Sequence, residues 1–290
     1  MFDYQIFTDA TSDISREMLG GLPYLEIIPM PVEIKGKAYS YGPNGNLSIH
    51  DFYRMQREGF FATTSQINPM VYQQHFEPCL REGRDILYLC FSSGLSKSIE
   101  SAEHCANELR EKYPDRKILC IDTLCASVGE GFLVCEALRK QAEGLPLQNL
   151  ANWVTEHRMQ VCHWFTVDGF DHLLHGGRVS STAASIGSLF RIKPLLHVNE
   201  SGELVVSEKL RGRDRAVQSQ IARMKAGWMP EISNLVVIGH GDCPEGSRQL
   251  EEGILNQFPA AKLMHTEIGP VIGAHTGPGM LVVIYWGNNR

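Results

Sequence analysis

Along the first half of the chain, short continuous apolar runs alternate with longer stretches in which apolar side chains recur every three to four positions. Runs of four to eight read as strands and the 3.6-residue period as helix. Strands are thus predicted at Tyr4–Phe7, Asp85–Phe91 and Lys117–Ile121, with extended chain from Leu25 to Ile34, where Pro29 and Pro31 imply an edge or irregular course. Helices are predicted at Ile49–Glu58, Pro69–Glu82, Ser96–Lys112, Ala126–Glu143 and Leu147–Met159. Pro69 falls in a first turn, where a missing N–H is tolerated, and Gly144 stops its helix. Strand and helix in alternation are the signature of β-α-β units on a parallel sheet.

The second half has a different texture. Strands are predicted at His163–Val167, Lys193–Val198, Glu203–Leu210, Leu235–Gly239, Ala261–His265 and Met280–Trp286. Asn199-Glu200-Ser201-Gly202 joins the second and third as an antiparallel hairpin. Helices are expected at Phe170–Leu174, at Ser181–Leu189 with its Ala, Ser and Gly, at Arg213–Ala226 and at Pro244–Asn256. The fold expected is α/β with an N-terminal α/β/α domain on a parallel sheet, residues 1–160, and a C-terminal mixed-sheet α/β domain, residues 161–290. At 290 residues, against about 150 per domain, two domains are also what length suggests.

Composition narrows the function classes. A formal charge of −6 and a pI near 6.0 exclude a general nucleic-acid binder, which needs a basic surface. The one basic cluster, Lys209, Arg211, Arg213 and Arg215, reads first as a solvated strand-to-helix connection, with a partner-docking or phosphate-facing patch as the alternative. Apolar runs such as Met280–Trp286 fall short of the roughly 18 residues a membrane span needs, and the first residues lack a signal-peptide pattern, so a cytoplasmic protein is expected. Eight cysteines contain no C-x-x-C pair, which points to reduced thiols inside apolar runs. His163, His172 and His175 lack metal-ligand spacing, so no metal is expected.

Dinucleotide, P-loop and serine-hydrolase motifs are absent. Three strand ends instead run into hydroxyl-rich or acidic turns: Thr8-Asp9-Ala10-Thr11-Ser12, Ser92-Ser93-Gly94-Leu95-Ser96 and Asp122-Thr123. On a parallel sheet such ends share one edge, where helix-start amides and hydroxyls suit an anion. Thr63-Thr64-Ser65-Gln66 reads either as helix capping or as a second hydroxyl cluster at that edge. In His175-Gly176-Gly177-Arg178-Val179-Ser180 the glycines suit a turn and Arg178 suits a carboxylate or phosphate. Glycines and prolines from Ile268 to Gly279 predict a rigid loop around His275, a candidate donor to an anion.

Together, these motifs resemble the DegV family, in that family's order and over nearly the whole chain. The resemblance implies a bacterial protein of two α/β domains that holds a long-chain fatty acid in an interior tunnel, the C-terminal domain covering the lipid site. It implies carboxylate binding by Thr64, beside Thr63, and by Ser93, with Ser92 and Gly94 in the same turn. Arg178, His275 and the adjoining Thr276 are implied as further ligand contacts, with no cofactor and no catalytic residue. Members similar to the fatty-acid-binding subunit of bacterial fatty acid kinase present the carboxyl to a separate ATP-dependent kinase, carry the acyl phosphate toward phospholipid synthesis, and touch a membrane surface only transiently. Lys97 stands where the family commonly has glycine, and Leu174-His175 where it has a basic pair. The alternative is an acyl hydrolase or phosphotransferase using Ser93 with His275 and Asp9 or Asp122. That chemistry requires a base about 2.6 to 3.2 Å from the Ser93 hydroxyl.

Overall fold

The computed structural model describes residues 2–179 and 192–290; the small-residue helix expected at 181–189 lies outside them. A parallel sheet in the order β2-β1-β6-β7 is built from β1 (Tyr4–Asp9), β2 (Glu26–Ile28), β6 (Asp85–Cys90) and β7 (Ile118–Asp122). Side chains on its two central strands alternate between two cores. Phe7, Ile86 and Tyr88 face α2 (Pro69–Arg81) and α3 (Ser98–Lys112). Ile6, Leu87 and Leu89 face α4 (Ser127–Ala142) and α5 (Leu147–His157). The result is the α/β/α arrangement that the alternating pattern predicts.

A second, six-stranded sheet has the order β10-β9-β8-β13-β11-β12. It comprises β8 (Val161–Thr166), β9 (Ile192–Val198), β10 (Leu204–Arg211), β11 (Leu235–His240), β12 (Lys262–Glu267) and β13 (Leu281–Trp286). Only β11 and β12 pair in parallel, so the sheet is mixed as expected. A short helix, α6 (Asp171–His175), follows β8, and the sheet's outer core packs against α7 (Arg213–Gly227) and α8 (Pro244–Gln257).

Helix α4 lies between the two large sheets and is buried almost all round, from Val128 to Leu138. Such a helix is mostly apolar all round because it has almost no solvent face, Glu130 and Gln141 being buried polar exceptions. Phe132 meets Trp286 of β13 at a ring distance of 5.4 Å. At Gly129 a Cβ would lie 1.9 Å from His163 Nε2, so only glycine lets α4 approach β8 this closely.

Three local expectations are corrected. The stretch after β2 forms a small antiparallel sheet, β4-β3-β5, from β3 (Met30–Ile34), β4 (Lys37–Tyr41) and β5 (Ala62–Thr64), two strands of which the apolar pattern does not show. Pro31 is tolerated inside β3 because β5 pairs only with Val32–Ile34, leaving β4 as the one neighbour at the proline. Neither Ser nor Thr caps α2: Asn68 does, its side chain accepting from Val71 N. And the glycine- and proline-rich stretch near His275 is not a loop but a helix, α9 (Pro270–Thr276), with Pro270 in its first turn.

Candidate functional site

A cavity runs between the two large sheets. About 80 Å³ of it is open to the centre of a water molecule, and its atom-free space is about 760 Å³ counting the open mouth. It is a narrow bore, and most of its wall is apolar: Met30, Phe91, Phe165, Ile272, Met280 and Val282 are among the side chains lining it. Val198 and Leu204, which flank the β9–β10 turn, close another part of the wall. One end is polar, formed by Thr64, Ser65, Gln66, Ser96, Arg178 and His275.

Each side chain of this end is placed by a local device. Alternation along β5 turns Thr63 outward to solvent and Thr64 inward. Thr64 Oγ1 lies 2.7 Å from His275 Nε2. His275 sits in the last turn of α9, and α9 is fixed on α1 (Ile49–Arg57) by Gln56, whose Nε2 donates to Gly273 O at 2.9 Å. At Gly176 a Cβ would lie 2.1 Å from His275 Nδ1, so the first glycine before Arg178 makes room for the imidazole. Arg178 is half-buried and donates to the Gly176 and Leu95 carbonyls. No acidic side chain bonds it among the described residues.

Basic side chains dominate this mouth, with Asp171 beside His172. Burial, reinforced by Arg178, His175 and His172, pushes His275 down to about 4, so the ring is neutral at pH 7. Desolvation also lowers Arg178, which nevertheless stays charged. His172 and His175 flank the mouth, each with its ring centroid 4.8 Å from that of the exposed Phe61 in a tilted arrangement. A guanidinium with no acidic partner among the described residues, beside a hydroxyl and an imidazole, has the chemistry to take a carboxylate or phosphate.

Of the eight residues expected at the site, Thr64, Arg178, His275 and Thr276 line the cavity. Thr276 donates its hydroxyl to Ile272 O at 3.1 Å, within its own helix. Ser93 and Gly94 line an adjoining outer vestibule, which shares Gln66, Leu95, Ser96 and Arg178 with the cavity and also carries Lys97. Thr63 and Ser92 line neither. Ser92 is fully buried, donates to Gly202 O at 2.7 Å and accepts from Gly94 N at 3.2 Å, which pins the β9–β10 turn to the end of β6.

The strand-end amides do not form the anion seat that their sequence suggests. Leu95 N and Ser96 N both donate to Ser92 O, and Ser93 N donates to Asp122 Oδ1 at 3.2 Å. Thr11 N and Ser12 N turn back onto Asp9; Leu124 N onto Asp122 and Cys125 N onto Thr123. Each turn satisfies itself. The polar end is made of side chains, two of which, Ser65 and Gln66, lie in a quoted motif without having been singled out. For the alternative chemistry, the partner of His275 is Thr64, and no imidazole bonds Ser93 among the described residues. Asp9 is held by Thr11 and Tyr88.

No helix among the described residues is long and apolar enough to cross a membrane. The family model described as "Uncharacterised protein, DegV family" matches residues 3–287. A DegV domain-containing protein of Clostridium perfringens is 38% identical over 100% of this chain and 99% of its own. A solved DegV family protein from Thermus thermophilus that binds fatty acid has a TM-score of 0.86 at 26% identity, covering 99% of this chain and 100% of that one. The Streptococcus pneumoniae Fatty Acid Kinase (Fak) B3 protein, solved loaded with linoleic acid, has a TM-score of 0.86 at 22% identity, covering 98% of this chain and 99% of that one, which speaks for a shared fold. With its two-sheet α/β architecture and a match over nearly its full length, this chain belongs to the DegV family.

Proposed function

We propose that the protein is a fatty-acid carrier. An acyl chain fills the apolar bore, and its carboxylate meets Thr64, His275 and Arg178 at the polar end. The observation that carries this reading is a greasy cavity ending in a guanidinium that has no acidic partner among the described residues. Burying a chain of about 16 carbons contributes on the order of 12 kcal/mol gross, at roughly 0.8 kcal/mol per methylene, before the costs of association. The tail therefore dominates affinity, and the polar end fixes orientation.

The finer reading is that Ser93, Gly94 and Lys97 line the space through which the carboxyl is offered to a separate ATP-dependent fatty acid kinase, and that the resulting acyl phosphate leaves on this protein. The likeness to the fatty acid kinase B3 fold supports it. So does the continuity of cavity and vestibule at Arg178. On this reading residues 1–160 and 161–290 act as two lobes, the second covering the lipid.

Native mass spectrometry of freshly purified protein tests the carrier. A mass increment equal to a long-chain fatty acid is expected. Protein that stays unliganded after incubation with C14 to C20 fatty acids would refute it. Acyl phosphate formation from the loaded protein, ATP and a fatty acid kinase catalytic subunit tests the finer reading separately.

A further inference from the structure

Behind the cavity wall, opposite in character to its mouth, lie three carboxyls that no cation bonds among the described residues. Asp9 and Glu130 are fully buried and Asp13 nearly so. Thr11 and Ser127, which line the cavity, connect them to it. Thr11 Oγ1 is 2.5 Å from Asp9 Oδ1 and 2.8 Å from Glu130 Oε2. Thr8 Oγ1 is 3.0 Å from Glu130 Oε1 and 3.0 Å from Leu89 O.

A hydroxyl carries one hydrogen, and a carboxylate carries none. Two threonines thus supply two hydrogens to four oxygen–oxygen contacts. With both acids ionised, two of these contacts would be lone pair against lone pair in a site sealed from water, an arrangement that buried polar groups avoid. A proton on one acid supplies a third hydrogen. The partners say which acid holds it. Asp9 receives three donors, Thr11 N at 2.9 Å, the Thr11 hydroxyl, and Tyr88 OH at 2.7 Å, as a carboxylate should. Among the described residues Glu130 has only the two threonine hydroxyls, both already claimed by other acceptors.

We propose that Glu130 is a positioning residue that works as an un-ionised acid: its O–H donates to Thr11 Oγ1, Thr11 donates to ionised Asp9, and the chain of bonds locks α4 onto the end of β1. Thr11 and Ser127 are thereby held in the cavity wall, and two carboxyls stand behind an apolar tail with one negative charge between them. Near Glu130 are Asp9 at the end of β1, Asp13 from the segment after it, Cys90 from β6 and Cys125 ahead of α4, with the neutral His163 of β8 against the neighbouring Gly129; none of these is a cation. Burial raises both carboxyls, Glu130 well above the ordinary value.

Two substitutions test this in the full chain. Glu130→Gln keeps a donor and an acceptor where the neutral acid has them; Asp9→Asn removes an acceptor where three donors converge. The expected results are an unchanged melting temperature and unchanged release rate of a fluorescent fatty acid for Glu130→Gln, and a clear loss in both for Asp9→Asn. Infrared spectra of protein carrying isotope-labelled glutamate should show an un-ionised carboxyl band at pH 7 that Glu130→Gln abolishes. Should Glu130→Gln fail to fold, the same band in the wild type, bleaching as pH is raised to 10, still decides the matter. Absence of the band at pH 7, or tolerance of Asp9→Asn with loss in Glu130→Gln, overturns the proposal.

Discussion

The two polar regions of the cavity are opposites in charge and in access. The mouth gathers Arg178, His275, His172 and His175, with Asp171 beside His172 but no carboxylate bonded to Arg178 or His275 among the described residues, whereas the inner wall gathers Asp9, Asp13 and Glu130 with no cation bonded to them among those residues. Burying one sign of charge is expensive in either place. At the mouth, burial strips the proton from His275 and lowers His172, and the guanidinium keeps its charge. At the inner wall, where no ligand atom replaces a counter-ion, hydroxyls and bound protons do so instead. Access decides which way an unbalanced cluster is resolved.

The largest effect is expected where the inner wall is forced apart. Gly129→Ala places a methyl 1.9 Å from His163 Nε2, with α4 held between two sheets and nowhere to move. Overpacking of this kind should destabilise the fold by about 3 kcal/mol. Chemical denaturation would register that loss, and a wild-type midpoint would show that α4 has more freedom than its burial suggests.

At the mouth the damage should fall on binding instead. Arg178→Ala removes the charge-assisted partner of a carboxylate, worth about 1.5 to 3 kcal/mol, so fatty-acid affinity should weaken roughly tenfold to a hundredfold while the melting temperature of the unliganded protein holds. Competition with a fluorescent fatty acid measures the first, and calorimetry the second. A stability loss as large as that of Gly129→Ala would mean that Arg178 is a structural residue.

The two regions also bend the pH profile in opposite directions. His275 is lowered from 6.5 to about 4, so the folded state binds fewer protons than the unfolded one; its contribution to stability is complete above 6.5 and is lost as pH falls toward 4. Asp13 is raised from 3.8 to about 7, chiefly by burial, so its contribution is complete below 3.8 and is lost as pH rises toward 7. Melting curves of wild type and His275→Gln between pH 4 and 7 separate the two, since the substitution should flatten the acid limb only.

Legibility in the sequence follows the same division. The parallel strands and their helices are readable because a buried run such as Ile86–Cys90 and a 3.6-residue period each report burial directly. The β4 and β5 strands are not: β4 is largely exposed and β5 is three residues long. Nor is α9, whose Gly273 looks like a helix breaker but is required where Phe52 and Tyr53 press within 2.7 Å of any Cβ. At the mouth, Arg178 and His275 stand out because glycines frame them. The acid cluster does not, since Glu130 looks like one more helix-surface glutamate until α4 is seen to have almost no surface. The turn at Ser92–Ser96 is misleading for a related reason: serine hydroxyls that suit an anion suit local amides equally well, as Ser92 Oγ does for Gly94 N and Ser96 Oγ for Ser98 N.

The smallest effect expected on retention is also the sharpest test of what the mouth is for. Thr64→Ala deletes one hydroxyl, a neutral hydrogen bond worth about 1 kcal/mol, against a tail contribution on the order of 12 kcal/mol. Retention should therefore weaken by about fivefold at most. Orientation is another matter, because a carboxyl displaced by even one ångström presents its oxygen poorly to a kinase, and near-attack geometry governs transfer rates far more steeply than affinity. Thr64→Ala should thus slow acyl phosphate formation by much more than fivefold, and Thr64→Ser, which keeps the hydroxyl near His275 Nε2, should restore most of the rate. Equal losses of retention and transfer in Thr64→Ala would show that the polar end grips the lipid rather than aiming it, and the contrast between an anion-orienting mouth and a proton-holding inner wall would then need a different account.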